Sequence, residues 1–106
     1  MEDCVFCKIV KGEIPSQKVF ETDSFLVIKD INPKAPVHLL IIPKVHVRDI
    51  IGVDETTWSD IKKVALSIVR KKRLKSFRLV HNAGDAALVP HMHVHLLGEI
   101  DAEREL

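Results

Sequence analysis

Three histidines fall within five residues, in the run His91-Met92-His93-Val94-His95-Leu96-Leu97. On an extended chain, residues two apart share a face and lie about 6.5–7 Å apart. The three imidazoles therefore point one way, and Met92, Val94 and Leu96 point the other way, into a core. Near neutral pH an imidazole can be a nucleophile, a general acid or base, or a metal ligand. Nucleophilic attack needs one ring nitrogen bare, with the opposite nitrogen donating to a fixed acceptor such as a backbone carbonyl. A strand gives such a row rigidity, and the flanking rings can orient the central one. The bland alternative is a solvated polar face. It suits a single histidine better than three in step.

Cys4 and Cys7 form a C-x-x-C pair. In a reducing compartment this spacing reads as metal ligation or redox chemistry before a structural disulfide. Tetrahedral zinc would need two further ligands. A thioredoxin-like pair would sit at a helix start after a strand, and only three residues precede Cys4 here. A free thiol pair is the third reading. His81 belongs to no motif and is expected to face solvent. The run Arg70-Lys71-Lys72-Arg73, with Lys75 and Arg78, reads as a solvated helix end rather than a nucleic-acid surface, since cations in a last turn suit the negative helix end.

The elements that must position these residues follow from local pattern. Cys4 to Lys11 carries Phe6, Ile9 and Val10 at helical spacing, with Gly12 as a cap and Pro15 as a stop. Lys18–Glu21 and Phe25–Lys29 read as a hairpin around Thr22-Asp23-Ser24. Asn32 to Pro36 is a loop, and Val37–Ile42 is a buried strand closed by Pro43. Asp54-Glu55-Thr56-Thr57 opens a long helix whose apolar face is Trp58, Ile61, Val64, Ala65, Ile68 and Val69. Ser76–Asn82 is a strand, a loop runs from Ala83 to Pro90, and His91–Leu97 is the last strand, ended by Gly98. The acidic tail, residues 99–106, is expected to be partly helical or frayed. The pattern predicts an α+β fold: a five-stranded antiparallel sheet with one long and one short helix.

Composition sets the frame for this reading. The chain has 106 residues, 46% hydrophobic and 29% charged, which is a folded composition rather than a disordered one. It is expected to form one domain over residues 1–106, and a chain of this size buries roughly 65% of its unfolded surface. Sixteen basic residues against fifteen acidic ones leave a net charge of +1, so no bulk field favours nucleic acid or membrane. No stretch approaches the roughly 20 apolar residues of a membrane span. Met1-Glu2-Asp3 is acidic and carries no apolar run, so no signal peptide is read and a cytoplasmic location is the expectation.

The histidine run resembles the signature of the histidine-triad family, His-x-His-x-His followed by two apolar residues. The resemblance is ordered and spans residues 4 to about 98. Cys4-Val5-Phe6-Cys7-Lys8-Ile9-Val10-Lys11-Gly12-Glu13-Ile14-Pro15 looks like the opening of bacterial members. Asp30-Ile31-Asn32-Pro33-Lys34-Ala35-Pro36-Val37-His38 and Ile42-Pro43-Lys44-Val45-His46 look like their middle signatures. The chain resembles the zinc-binding bacterial branch that is similar to the histidine-triad nucleotide-binding proteins.

The resemblance implies a nucleotide hydrolase or transferase acting at the α-phosphate of purine nucleoside phosphoramidates. His93 would attack phosphorus and form a nucleotidyl-histidine, His95 would contact the phosphate, and His38 would support them. Asp30 would accept from the ribose hydroxyls, and Phe6, Ile9, Ile28 and Ile31 would form the base slot. Plain core packing is the alternative for these four, and a turn role for Asp30. Asn82, Ala87 and Leu88 would lie along the phosphate and ribose. Cys4, Cys7, His46 and His91 match the ligands of a closed structural zinc site. The implied partner is a second copy of the chain, through the long helix and a shared sheet. No organic cofactor is implied. Alternatives are a dinucleoside polyphosphate hydrolase and a non-catalytic nucleotide-binding module. The chain departs from the family in Asp85-Ala86-Ala87-Leu88-Val89-Pro90, which lacks the glycine, glutamine and hydroxyl usual before the triad, and in its tail, which lacks a Trp-Pro pair.

Overall fold

A computed structural model describes residues 3–105. Met1, Glu2 and Leu106, the ends of the acidic N-terminal triplet and of the tail, lie outside the described residues. The elements run α1 (Val5–Val10), β1 (Lys18–Glu21), β2 (Phe25–Lys29), β3 (Val37–Pro43), α2 (Glu55–Lys71), β4 (Phe77–Val80), a short 3-10 turn (Gly84–Ala86) and β5 (Val94–Gly98). The strands form one antiparallel sheet in the order β1-β2-β3-β5-β4. This is the α+β arrangement expected from the sequence.

Both helices start on side-chain caps. The Cys4 Sγ accepts from the Cys7 N–H at 3.3 Å, and the Asp54 carboxylate accepts from the Thr57 N–H at 2.7 Å. α1 is followed by Gly12 at φ +81, a left-handed conformation that glycine adopts without steric cost.

The central strands β2 and β3 are buried on both faces by a strict division of side chains. Phe25, Val27, Leu39, Ile41, Met92, Val94 and Leu96 pack with Ile61, Ala65 and Ile68 of α2. Leu26, Ile28, Leu40 and Ile42 pack on the other face with Cys4, Phe6, Cys7 and Ile9 of α1. The histidine row shares this second face by the same alternation.

Four sequence expectations change. β5 begins at Val94, not His91, and β4 spans Phe77–Val80 rather than Ser76–Asn82. Continuing the β3–β5 pairing would set Met92 opposite Pro43, which has no N–H to give, and the Met92 N–H instead donates to the Val47 carbonyl at 2.7 Å. The tail forms turns rather than helix, and Arg78 donates to the carbonyls of Arg104 at 2.7 Å and Glu105 at 3.1 Å. Trp58, placed on the apolar face of α2, is 44% exposed, one turn from the helix start.

Candidate active site and metal centre

Although His91 and His93 precede the ladder, the side chains keep the alternation: Met92 packs with α2, and both histidine rings face Phe6 of α1. His91 and His93 are buried, and His95 is half-buried. Phe6 from α1 sits edge-on to both rings, with centroids 5.8 Å from His91 and 4.8 Å from His93. The His93 and His95 rings lie 5.1 Å apart.

Hydrogen bonds fix the protons on these rings. The His93 Nδ1 lies 2.8 Å from the His91 carbonyl, which can only accept, so Nδ1 carries the proton. Burial holds the His93 pKa below its ordinary value, so the ring is neutral and Nε2 is a bare lone pair. A second chain of bonds reaches His95. The Lys34 backbone N–H donates to the His38 Nδ1 at 3.0 Å, which puts the proton of neutral His38 on Nε2. That Nε2–H donates to the His95 Nδ1 at 2.9 Å, so neutral His95 carries its own proton on Nε2. Burial lowers the pKa of His38, and burial with the neighbouring His93 and His38 takes His95 down to about 4. Among the described residues neither the His93 nor the His95 Nε2 has a hydrogen-bond partner. One ring thus offers a lone pair and the next an N–H.

Asp30 stands beside this pair, with Oδ2 3.4 Å from the His38 Nε2 and 4.0 Å from the His95 Nδ1. The three could be read as a metal-binding cluster. The Lys34 N–H argues otherwise, because it occupies the His38 Nδ1 lone pair and leaves Nε2 protonated. Asp30 also lines a groove of about 520 Å³ with Ile9, Ile28, Ile31, Ser16 and Gln17. Of the four apolar residues expected around a base, the structure brings Ile9, Ile28 and Ile31 to this groove. Phe6 packs against the triad instead. Ile31 is 91% exposed in the groove wall. Ala87 and Leu88 lie on the loop before His91, with the Leu88 side chain fully exposed, and Asn82 is half-buried just beyond β4.

The cysteine pair meets two histidines at the other end of the row. The Cys4 Sγ lies 3.2 Å and the Cys7 Sγ 3.5 Å from the His91 Nδ1, and the Cys7 Sγ lies 3.3 Å from the His46 Nδ1. All four ligand atoms lie within 4.8 Å of one another. Tetrahedral zinc with bonds of about 2.0–2.3 Å has ligand–ligand edges of roughly 3.3–3.8 Å, so this spacing fits a metal ion such as zinc. The His91 Nε2–H donates to the Pro43 carbonyl at 2.8 Å, which leaves Nδ1 bare for a metal and fixes the ring. Burial, with Cys4 alongside, pushes the Cys7 thiol above its usual value in the absence of an ion. A cation there reverses this balance. Both cysteines are buried and unpaired by disulfide.

His81 is not the solvent-facing residue expected from the sequence. Its Nδ1 lies 3.0 Å from the His93 carbonyl, and its Nε2 accepts from the Ile50 N–H at 3.0 Å. Asp49, unremarked in the sequence, is 3% exposed and accepts from the Gly84 and Ile51 N–H groups, each at 2.9 Å. Those two amides hold its carboxyl below the usual carboxylate range. Neither residue sits in a local pattern that could have revealed these long-range contacts.

The chain is similar to known proteins along nearly its whole length. A family model described as the C-terminal binding region of the scavenger mRNA decapping enzyme matches residues 3–105. An uncharacterized HIT-like protein of Helicobacter pylori is 39% identical over 97 residues, covering 88% of this chain and 93% of its own. An adenosine 5'-monophosphoramidase of Saccharomyces cerevisiae is 35% identical over 105 residues, 97% of this chain and 66% of its own. The solved structure of a HIT family hydrolase from Clostridium thermocellum superposes with a TM-score of 0.90 at 42% identity, covering 100% of this chain and 98% of that one.

Proposed function

The chain belongs to the histidine-triad family, and from that premise we propose that it is a nucleotidyl hydrolase acting at the α-phosphate of purine nucleoside phosphoramidates. The observation that carries this reading is the His93 Nδ1–H bond to the His91 carbonyl at 2.8 Å, which leaves Nε2 as a neutral lone pair in a buried ring. His93 attacks phosphorus, the P–N bond to the leaving amine breaks, and the amine departs with a proton from solvent. Water then attacks the nucleotidyl-histidine, giving the nucleoside monophosphate and the free imidazole. His95 holds a phosphoryl oxygen through its Nε2–H, and His38 fixes the proton position that makes this possible. Asp30 accepts from the ribose hydroxyls, and Ile9, Ile28 and Ile31 hold the base in the adjoining groove.

Zinc held by Cys4, Cys7, His46 and His91 would tie α1 to the histidine segment as a structural ion. It takes no part in the reaction. Residues 1–106 act as one domain, two copies associate through α2 and the sheet, and the protein works in the cytoplasm. The similarity to the yeast adenosine 5'-monophosphoramidase supports the choice of leaving group.

Two other readings keep the same pocket. A dinucleoside polyphosphate hydrolase would use His93 on a phosphoanhydride. A binding module without turnover is favoured by one observation: Leu88 stands on the loop before the triad with no side-chain donor for a leaving group. Release of amine from adenosine phosphoramidate, measured beside diadenosine polyphosphate cleavage and AMP binding, tests all three. Amine release supports the proposal, faster diadenosine cleavage supports the second reading, and AMP binding without turnover supports the third.

A further inference from the structure

The nucleophile stands just outside the sheet ladder, since β5 starts at Val94 and β4 ends at Val80. Its backbone must therefore be held by other means. Residues 47–50 supply them. The Val47 carbonyl takes the Met92 N–H at 2.7 Å. His81 spans from the Ile50 N–H to the His93 carbonyl with two bonds of 3.0 Å. An amide N–H only donates and a carbonyl only accepts, so one form of His81 satisfies both: the neutral ring with its proton on Nδ1. Asp49 ties the same segment to the Gly84 N–H at 2.9 Å, where the loop preceding the triad begins and φ is +58. Continuing the β4–β5 pairing sets His81 across from Val94, on the α2 face and away from the groove beside Asp30.

We infer that His81 is a positioning residue for His93, a clamp that replaces the missing strand partner and sets where the nucleophilic ring can point. The inference rests on the nucleotidyl-transfer reading of His93. In-line attack requires reacting atoms about 3–3.5 Å apart, and a displacement near 1 Å can cost roughly 100-fold in rate. Loss of the clamp therefore reduces the chemical step and spares base and ribose binding.

Ring 15N spectra of the full chain, combined with steady-state kinetics on adenosine phosphoramidate, test it. Wild-type His81 should show the Nδ1–H tautomer. His81→Ala should lower kcat by about 100-fold with KM nearly unchanged. His81→Asn, which places an amide N–H at the δ position, should recover most of kcat, whereas His81→Gln, with its amide one bond farther out, should not. A wild-type Nε2–H tautomer, full kcat in His81→Ala, or a loss carried by KM overturns the inference. If the wild type releases no amine, the functional reading fails, and the clamp is then judged on the His93 ring signals alone. A shift of those signals in His81→Ala supports it, and identical signals overturn it.

Discussion

The His38 Nε2 lies 2.9 Å from the His95 Nδ1, and the other His38 nitrogen is held by the Lys34 backbone N–H at 3.0 Å. A backbone amide thus dictates, through one intervening ring, that His95 presents N–H rather than a lone pair. This arrangement contrasts with His93, where a carbonyl at Nδ1 dictates the reverse. Two neighbouring histidines on one face are made chemically unlike by what sits behind them.

Removing the donor directly should be costly. His95→Ala is expected to lower kcat by about 100-fold, the scale of deleting one donor from an oxyanion site. His38→Ala leaves the His95 ring in place but frees its tautomer, so a smaller loss of roughly 10-fold is expected. Equal losses in the two variants would contradict the ordering of the relay.

Asp30 is expected to act on binding. Hydrogen bonds to a charged group contribute about 1.5–3 kcal/mol each, so Asp30→Ala should raise KM by roughly 10- to 100-fold. A 2'-deoxy substrate should lose less in Asp30→Ala than in the wild type. Equal discrimination in both proteins would show that Asp30 does not contact the ribose.

Metal removal should affect stability before chemistry. Protein purified without added zinc should carry about one ion per chain. Chelation or Cys4→Ser should lower Tm by about 10 °C or more, since each kcal/mol shifts Tm by about 4–8 °C in a domain of this size. Stoichiometric metal analysis and thermal melts check this, and an unchanged melt after chelation would contradict a structural ion.

Acid should destabilise the fold through the relay. Burial favours neutral His38 and His95 in the folded state, with His95 taken down to about 4 against an ordinary value of 6.5. The unfolded chain therefore binds protons first as pH falls, and stability present above about 6.5 is progressively lost between 6.5 and 4. Denaturant midpoints measured across that window should fall in the wild type and fall less in His95→Gln. Parallel curves would remove His95 as a cause.

Much of this was legible in the sequence because it was written in local pattern. The hairpin strands Lys18–Glu21 and Phe25–Lys29 carry turn residues between them and match the structure end for end. The alternation from His91 to Leu97 correctly assigned faces even where the ladder stops, because facing depends on extended backbone and not on pairing. The true start of β5 was hidden because it depends on Pro43, remote in sequence and opposite in space. The same holds for Asp49 and His81. Each acts through backbone atoms of distant loops, and no periodicity records a partner 31 or 35 residues away. Spacing alone left the C-x-x-C pair ambiguous, and the structure narrows it by bringing His46 and His91 within ligand distance.

The central claim is that His93 forms a covalent bond to phosphorus. Rapid acid or base quenching during turnover of adenosine phosphoramidate, followed by peptide mass spectrometry, measures it most directly. The account predicts an adenylyl group on the peptide containing His93, located on that residue and absent from His93→Ala. Turnover at full rate in His93→Ala, or an adduct mapped to any other residue, would contradict it.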